Sequence, residues 1–197
     1  MQTLLRVVVR KRLEFAGWLA ASSLFAISSA AQQPVERITT VVDEAERTTI
    51  HGTHPVVART EDDAGRVPLA SKLPGVSIAF SRTPAQEADL QALLTAQQDP
   101  TSPLYHQWLT PDEFGARFGL ADSDIAQVRS WLEQHGFTVE SVSRSKNRIS
   151  FSGTVEQVEA AFGTEMHYYK VNGETHFAAS RDVSVPAALS SDPSRRW

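Results

Sequence analysis

Cysteine is the most informative absence, since none occurs among the 197 residues. Its absence excludes a disulfide framework, a thiol nucleophile and a metal site built from thiolates. A strong charge of either sign is also missing, because the formal net charge is -4 and no long basic tract lies beyond the N-terminus. Nucleic-acid-binding proteins normally present a basic face, so that class of function is disfavoured. With 41% hydrophobic and 21% charged residues, the composition is that of an ordinary globular protein.

The N-terminal segment, residues 1–31, has the pattern of a secretory signal peptide. Basic residues precede a mostly apolar run at 13–27, and small residues end the segment at Ala31, so cleavage is predicted between Ala31 and Gln32. A transmembrane anchor is the alternative, but the run is shorter than the ~20 residues that a membrane span needs. We therefore expect a secreted or periplasmic protein with no stable membrane insertion after cleavage.

The segment after the leader has weaker patterns. Short strands are predicted at 38–42 and 48–50, on either side of an acidic turn, and residues 61–75 are predicted to be a surface loop because charges and turn residues are concentrated there. His51 and His54 flank a Gly-Thr pair. Zinc needs three or four ligands and no third one stands at a suitable spacing, so a turn is favoured over a metal site.

Three helices are predicted to begin with the same capping box. In each, a threonine side chain accepts from the backbone N–H three residues later, and a Gln or Glu side chain at that position reaches back to the N–H of the threonine. A further helix is predicted from about 122 to 135. The three capping pairs are Thr83 with Gln86, Thr110 with Glu113, and Thr154 with Gln157.

Strands are predicted between these helices. Apolar residues alternate with polar ones at 76–80, 137–139 and 149–151, and a hairpin around Asn172-Gly173 joins two further strands. The order is strand, helices, strand, strand, helix, strand, with one added short strand, which is a βαββαβ core. Short connections between neighbouring strands favour an antiparallel sheet with helices packed on one face, an α+β fold like a split βαβ unit.

The stretch DPTSPLYHQWLTPDEFGARFG, residues 99–119, resembles the signature of the pro-kumamolisin activation domain. That domain is the propeptide of the sedolisins, which are secreted serine-carboxyl peptidases. The resemblance covers about 54–189, leaving 32–53 as an N-terminal extension and 190–197 as a divergent tail. Further matching blocks are Trp131-Leu132, His135-Gly136-Phe137, Phe151-Ser152-Gly153-Thr154, Ala161-Phe162-Gly163-Thr164-Glu165 and Asn172-Gly173-Glu174.

The resemblance implies a ferredoxin-like antiparallel sheet. It also implies a propeptide that assists folding of a catalytic domain, blocks its cleft at neutral pH and is removed in acid. The predicted partner is a sedolisin-type catalytic domain, either in trans or lost in cis. A stand-alone secreted binding module, or the remnant of a truncated gene, is the alternative.

No catalytic, cofactor or metal site is predicted, and the chain is expected not to be an enzyme. The family's catalytic Glu, Asp and Ser and its calcium site belong to a domain that follows the propeptide, and none of those positions maps onto these residues. Ser152 lies in a Ser-Gly-Thr turn, but Val155 stands where the family's nucleophilic serine would follow Gly-Thr. A strand-to-helix turn therefore explains the turn better than catalysis, which also needs a base and an oxyanion hole.

Eight residues of the signature are candidates for an interface. Their aromatic side chains either contact the catalytic domain or bury apolar area against the sheet, and we favour burial. The histidine among them is interpreted as a hydrogen-bonded structural residue. The eight are Tyr105, His106, Trp108, Leu109, Thr110, Pro111, Phe114 and Gly119.

Overall fold

The computed structural model describes residues 34–190. The predicted leader, its cleavage site at Ala31 and Gln32, and residues 191–197 lie outside the described residues. Within the described range the helices are α1 Pro84–Gln98, α2 Pro111–Phe118, α3 Asp122–Gln134 and α4 Val155–Phe162, with short 3-10 turns at Thr60–Asp62 and Ala187–Leu189. The strands are β1 Arg47–Thr49, β2 Asp63–Arg66, β3 Lys72–Ala79, β4 Thr138–Val142, β5 Arg148–Thr154, β6 Met166–Val171, β7 Glu174–Ala179 and β8 Ser184–Pro186.

The strands pair into three antiparallel sheets, which confirms the α+β class. One sheet has the order β3-β5-β4, the second β2-β6-β7, and the third pairs β1 with β8. The order β3-β5-β4 is the one expected for the first three strands of a ferredoxin-like sheet. The fourth strand, β6, pairs instead with β2 on one edge and with β7, through the Asn172-Gly173 hairpin, on the other.

Two predictions for the N-terminal segment are wrong. The expected surface loop at 61–75 contains β2 and the start of β3, because Asp63 and Arg66 pair with β6 about a hundred residues later in the chain. The expected strand at 38–42 is not a strand, because side chains of α3 bind the backbone of Ile38: Asp124 Oδ1 accepts from its N–H and Gln127 Nε2 donates to its carbonyl. The strand expected at 48–50 corresponds to β1, whose partner is β8.

All three capping boxes are present in the structure. At α2, Glu113 N donates to Thr110 Oγ1 over 3.3 Å and Thr110 N donates to Glu113 Oε2 over 2.7 Å. At α4, the capping Gln157 also donates through Nε2 to the carbonyl of Gly136 over 2.8 Å. The start of α4 is therefore fastened to the turn that follows α3.

The main core lies between α3, α4 and the inner face of the β3-β5-β4 sheet. Phe151 of β5 packs edge-on against Phe137 with 4.9 Å between ring centroids, and Trp131 of α3 meets Phe162 of α4 at 5.5 Å. The helices α1 and α2 do not join this core. They form a smaller apolar cluster, so the predicted packing of the helices on one face holds for α3 and α4 only. The smaller cluster consists of Leu90, Leu93 and Phe118, with Leu109 and Phe114 packed against it.

A buried carboxylate anchors the N-terminal segment. Asp124, in the first turn of α3, has 0% of its surface exposed. Its oxygens accept from Arg37 N at 3.0 Å and from Ile38 N at 2.9 Å. A buried carboxylate is tolerated when donors surround it in this way, and these bonds hold Ile38 in the core.

We predict that Asp124→Ala lowers the free energy of unfolding by about 1.5–3 kcal/mol, because backbone donors would lose a charged acceptor. Asp122→Ala is the matched control, since it also removes an acid from the first turn of α3. The Asp122 side chain is 83% exposed and bridges Lys146 at the surface, so its loss should cost at most about 1 kcal/mol. Urea denaturation of both variants measures the difference, and equal losses would contradict the anchoring role of Asp124.

Candidate interaction surface

Large apolar side chains are exposed on the loop that joins α1 to α2. Trp108 is 65% exposed and Tyr105 is 37% exposed, and Leu104 beside them is also exposed. The prediction that the aromatic run is buried against the sheet is therefore wrong for Tyr105 and Trp108. Leu109 and Phe114 supply the apolar contacts with the α1–α2 cluster, and the two larger rings remain outside it. We call residues 104–108 the aromatic loop.

The rings of the aromatic loop are stacked on one another. Tyr105 and His106 have centroids 3.8 Å apart, and His106 and Trp108 have centroids 5.9 Å apart, each pair with an interplanar angle of 22°. His106 has a φ of 57°, in the left-handed region that non-glycine residues rarely adopt. Its side chain forms no hydrogen bond with any described residue, so its interpretation as a hydrogen-bonded structural histidine is wrong. The His106 ring is instead stacked between Tyr105 and Trp108.

The backbone of the aromatic loop is held by the end of α1. Gln97 is only 3% exposed, its carbonyl accepts from His106 N over 3.1 Å, and its Nε2 donates to the carbonyl of Gln107. At the start of the connection, Asp99 Oδ1 accepts from both Thr101 N and Thr101 Oγ1 over 2.8 Å. The exposed rings therefore stand on an ordered support.

The other signature residues are structural parts of α2. Thr110 is its N-cap and Pro111 its first residue. Gly119 ends it where the backbone crosses the β4–β5 turn closely: a Cβ there would lie 2.5 Å from Lys146 Cβ and 2.6 Å from the carbonyl oxygen of Gly115. Only glycine fits at this crossing.

Ion pairs fasten α2 to its neighbours and keep nearby carboxylates charged. Arg117 of α2 binds Asp89 of α1, with 2.7 Å between Nε and Oδ2, and its hydrogen bonds hold the pKa of Asp89 below the usual range. Arg144 in the β4–β5 turn binds Asp112, with 2.9 Å between Nε and Oδ1, and lowers the pKa of Asp112 in the same way.

A second surface is the outer face of the β3-β5-β4 sheet. Directly paired residues have side chains on the same face, and here the pairs are Ser77 with Ser150, Ser141 with Ser150, and Thr138 with Ser152. These side chains are small and at least partly exposed. The outer face therefore consists largely of short polar groups, together with Arg148, whose Nη1 donates to Ser77 Oγ over 3.3 Å.

The two alternative site hypotheses from the sequence concern Ser152 and the pair His51 and His54. Ser152 belongs to this outer face, and its hydroxyl has no hydrogen bond to a histidine or carboxylate among residues 34–190. His51 Nδ1 lies 3.4 Å from Asp182 Oδ2, and His54 N donates to Asp182 Oδ1 over 2.9 Å, so both histidines contact a single carboxylate. His54 Nδ1 is bound to the carbonyl of Ala179 over 2.7 Å.

Two further kinds of site are absent from the described residues. Between residues 34 and 190, no group of three or more His, Asp or Glu side chains is arranged to hold a metal ion. In the same part of the chain, no helix has both the length and the apolar character needed to cross a membrane.

We predict that Trp108→Ala changes the free energy of unfolding by less than about 1 kcal/mol, because the indole is largely in solvent. Phe118→Ala is the contrasting variant from the same region. Phe118 is 1% exposed, and its truncation should cost about 3–5 kcal/mol. Thermal and urea unfolding measure both, and a large loss in the Trp108 variant would contradict the exposed position of the ring.

The sequence is similar to parts of several peptidases. It is 35% identical to xanthomonalisin of a Xanthomonas species over 100 residues, which is 51% of this chain and 12% of that protein. It is 29% identical to tripeptidyl-peptidase sed1 of Aspergillus fumigatus over 144 residues, 71% of this chain and 22% of that protein. It is 28% identical to sedolisin of a Pseudomonas species over 103 residues, 52% of this chain and 18% of that protein.

The chain thus spans less than a quarter of the length of these relatives. A sequence model of the family described as pro-kumamolisin, activation domain, matches residues 62–192, which is more than half of the chain. The protein belongs to the pro-kumamolisin activation domain family.

Proposed function

We propose that this chain acts as the propeptide of a sedolisin-type peptidase. It binds the catalytic domain, in trans or in cis, inhibits it near neutral pH and assists its folding. Membership of the activation domain family and similarity to three peptidases support this proposal. The single structural observation that carries it is the aromatic loop, whose rings are exposed, stacked and held by Gln97.

Exposed rings on an ordered support are suited to binding. Tryptophan and tyrosine are the residues that most often dominate the free energy of protein interfaces. A support that is already ordered reduces the conformational entropy lost on association. The left-handed backbone at His106 fits this view, because unfavourable backbone conformations concentrate at sites of recognition. Trp108 and Tyr105 are therefore assigned as the anchors of the interface.

The aromatic loop is too small to form a stable interface alone, since such interfaces bury roughly 800 Å² per partner. We assign the remaining contact area to the outer face of the β3-β5-β4 sheet. Its short side chains, such as Ser77 and Ser141, lose little rotamer entropy when they are covered. The proposed site of action is outside the cytoplasm, after cleavage of the predicted leader between Ala31 and Gln32.

Acid release is proposed to follow from the ion pairs of the domain itself. Several carboxylates have pKa values below their usual range. Burial raises the pKa of Glu44 and Glu159, but in these two, as in the others, bound cations and N–H or O–H donors lower the pKa overall. A carboxylate with a lowered folded-state pKa stabilises the fold above its unfolded pKa, near 4, and this contribution is lost as pH falls through the folded value. The domain should therefore weaken in strong acid. The carboxylates are Glu44, Asp63, Asp89, Asp99, Asp112, Glu113, Glu159 and Asp182.

Inhibition of a sedolisin-type catalytic domain tests the function. We expect the purified chain to inhibit the catalytic domain of xanthomonalisin near pH 7, and Trp108→Ala to raise the inhibition constant roughly tenfold or more, the usual effect of losing an aromatic anchor. Phe177→Ala is the matched control, because Phe177 is 53% exposed but lies on the β6–β7 hairpin. It should leave the inhibition constant unchanged.

Absence of inhibition by the parent chain, across several sedolisin-type catalytic domains, would overturn the proposed function and favour a separate secreted binding module. Equal inhibition by the parent and both variants would keep the propeptide function but remove the aromatic loop from the interface.

We further predict that the free energy of unfolding decreases between about pH 5.5 and pH 3, and that Asp89→Asn makes this decrease shallower. The substitution removes a carboxylate whose pKa is lowered by Arg117, so less stability remains to be lost by protonation. Glu140→Gln is the control, since Glu140 is exposed and has no ion-pair partner in the described part of the chain. Urea denaturation across this range would contradict the idea if stability were constant or rose towards acid.

A further inference from the structure

Within residues 34–190, the outer edge of β3 has no partner strand. Phe80 N donates to the carbonyl of Asn147 over 2.8 Å, and in this register Val76 and Ile78 also direct their backbone groups towards β5. Ser77 and Ala79 must then direct their N–H and C=O groups to the opposite edge. No residue between 34 and 190 forms a backbone hydrogen bond with them.

The open edge borders an apolar cavity of about 410 Å³. All five residues from Val76 to Phe80 line it. The side chains of neighbouring residues in a strand point to opposite faces of the sheet. A cavity that contacts five consecutive residues of β3 must therefore also contact the edge of that strand. The remaining walls come from the core and from the other sheets, and none of the lining residues is charged. These walls include Trp131, Phe162, Met166, Ala179, Val185 and Leu189.

Residues 76–80 of this edge lack the protective residues that natural sheet edges usually carry, and the nearby charge of Arg148 lies on the outer face, where its Nη1 donates to Ser77 Oγ over 3.3 Å. Charged side chains, proline or a strong bulge normally prevent another strand from pairing. Here Lys72 and the Pro74-Gly75 irregularity precede the open segment, and residues 76–80 contain no charge and no proline. Ser77 and Ala79 are exposed to solvent. The segment therefore offers two N–H donors and two carbonyl acceptors beside an apolar cavity.

We propose that β3 and this cavity together receive an extended, uncharged peptide segment of another protein. The segment pairs with Ser77 and Ala79 as an added strand, the mode of recognition known as β-augmentation. Its residues opposite Val76, Ile78 and Phe80 have their side chains on the same face as these three, towards the cavity. The site thus selects apolar residues at alternate positions and rejects charge. This site is separate from the aromatic loop and does not depend on the proposed inhibition.

Two other occupants fit less well. A second copy of the chain would bring its whole sheet to the edge, but the cavity beside the edge is also lined by Ala179 of β7 and Val185 of β8, and a single strand fits there better than a sheet. An aliphatic ligand would fill the cavity and leave the N–H and C=O groups of Ser77 and Ala79 without partners, whereas a peptide satisfies both the apolar and the polar parts.

Amide hydrogen exchange of the full chain tests the proposal. The probe is an acetylated and amidated peptide of alternating valine and threonine with a lysine at each end for solubility. We expect exchange at Ser77 and Ala79 to slow by about tenfold or more when the peptide is added. Exchange at Ile78 should not change, because its N–H is already bonded to β5. The same peptide with serine in place of valine should produce no protection.

A matched pair of variants at one position isolates the edge. Ala79→Pro removes an edge-facing N–H, a substitution tolerated on edge strands, and should weaken peptide affinity roughly tenfold or more. Ala79→Thr keeps the N–H and should bind like the parent. Three outcomes would each overturn the proposal. The first is equal peptide affinity of the two variants, and the second is a spectral change at Trp131 without protection of Ser77 and Ala79. The third is protection that rises with protein concentration in the absence of peptide. If Ala79→Pro does not fold, the hydrogen-exchange pattern of the parent chain alone decides the proposal. Because the assay contains no peptidase, a negative result here is distinct from a failure of the proposed propeptide function.

Discussion

The pairing of β6 on both of its edges determines much of the remaining structure. β6 takes β7 through the Asn172-Gly173 hairpin and β2 on its other side, so it has no backbone groups left for β3. In the described part of the chain, the sheet β3-β5-β4 therefore ends at β3, and the space beside it is the cavity lined by Val76 to Phe80. One local choice of partners thus produces the separate sheets, the open edge and the apolar cavity.

Local chemistry made most elements predictable from the sequence, and distant pairing made the others unpredictable. The capping boxes at Thr83, Thr110 and Thr154 depend on residues three positions apart, so the sequence pattern locates them directly. The strand β2 reads as a loop because its polar sequence becomes a strand only when Asp63 pairs with Tyr169. The buried position of Asp124 depends on a hydrogen bond from the backbone N–H of Arg37, which lies far away in the sequence. No local sequence pattern predicts that contact.

The sequence identifies the residues of the family signature, but it does not predict which of them are exposed to solvent. Trp108 and Phe118 are both large and mainly apolar, and residues of both types are on average highly buried. Their exposures of 65% and 1% follow from the small size of the α1–α2 cluster, which Leu109 and Phe114 already fill. The stacked arrangement includes a left-handed backbone conformation at His106. A histidine in the sequence does not predict this conformation, because it is found mainly at glycine. The signature therefore identifies the family but does not indicate which of its side chains are available for contact.

The strand β2, which pairs with one edge of β6, is held there by a histidine and a carboxylate whose contributions to stability change with pH in opposite directions. His167 of β6 is bound by Asp63 of β2 and by Glu165; burial opposes the charged imidazole, but these hydrogen bonds raise its pKa overall. The pKa of Asp63 is lowered by the N–H of Gly65 and by His167. The contribution of His167 is full below its unfolded pKa and is lost as pH rises through the raised value, whereas that of Asp63 is lost as pH falls through the lowered one. The β2–β6 contact is therefore strongest in mild acid, and its weakening in strong acid comes from the carboxylates alone.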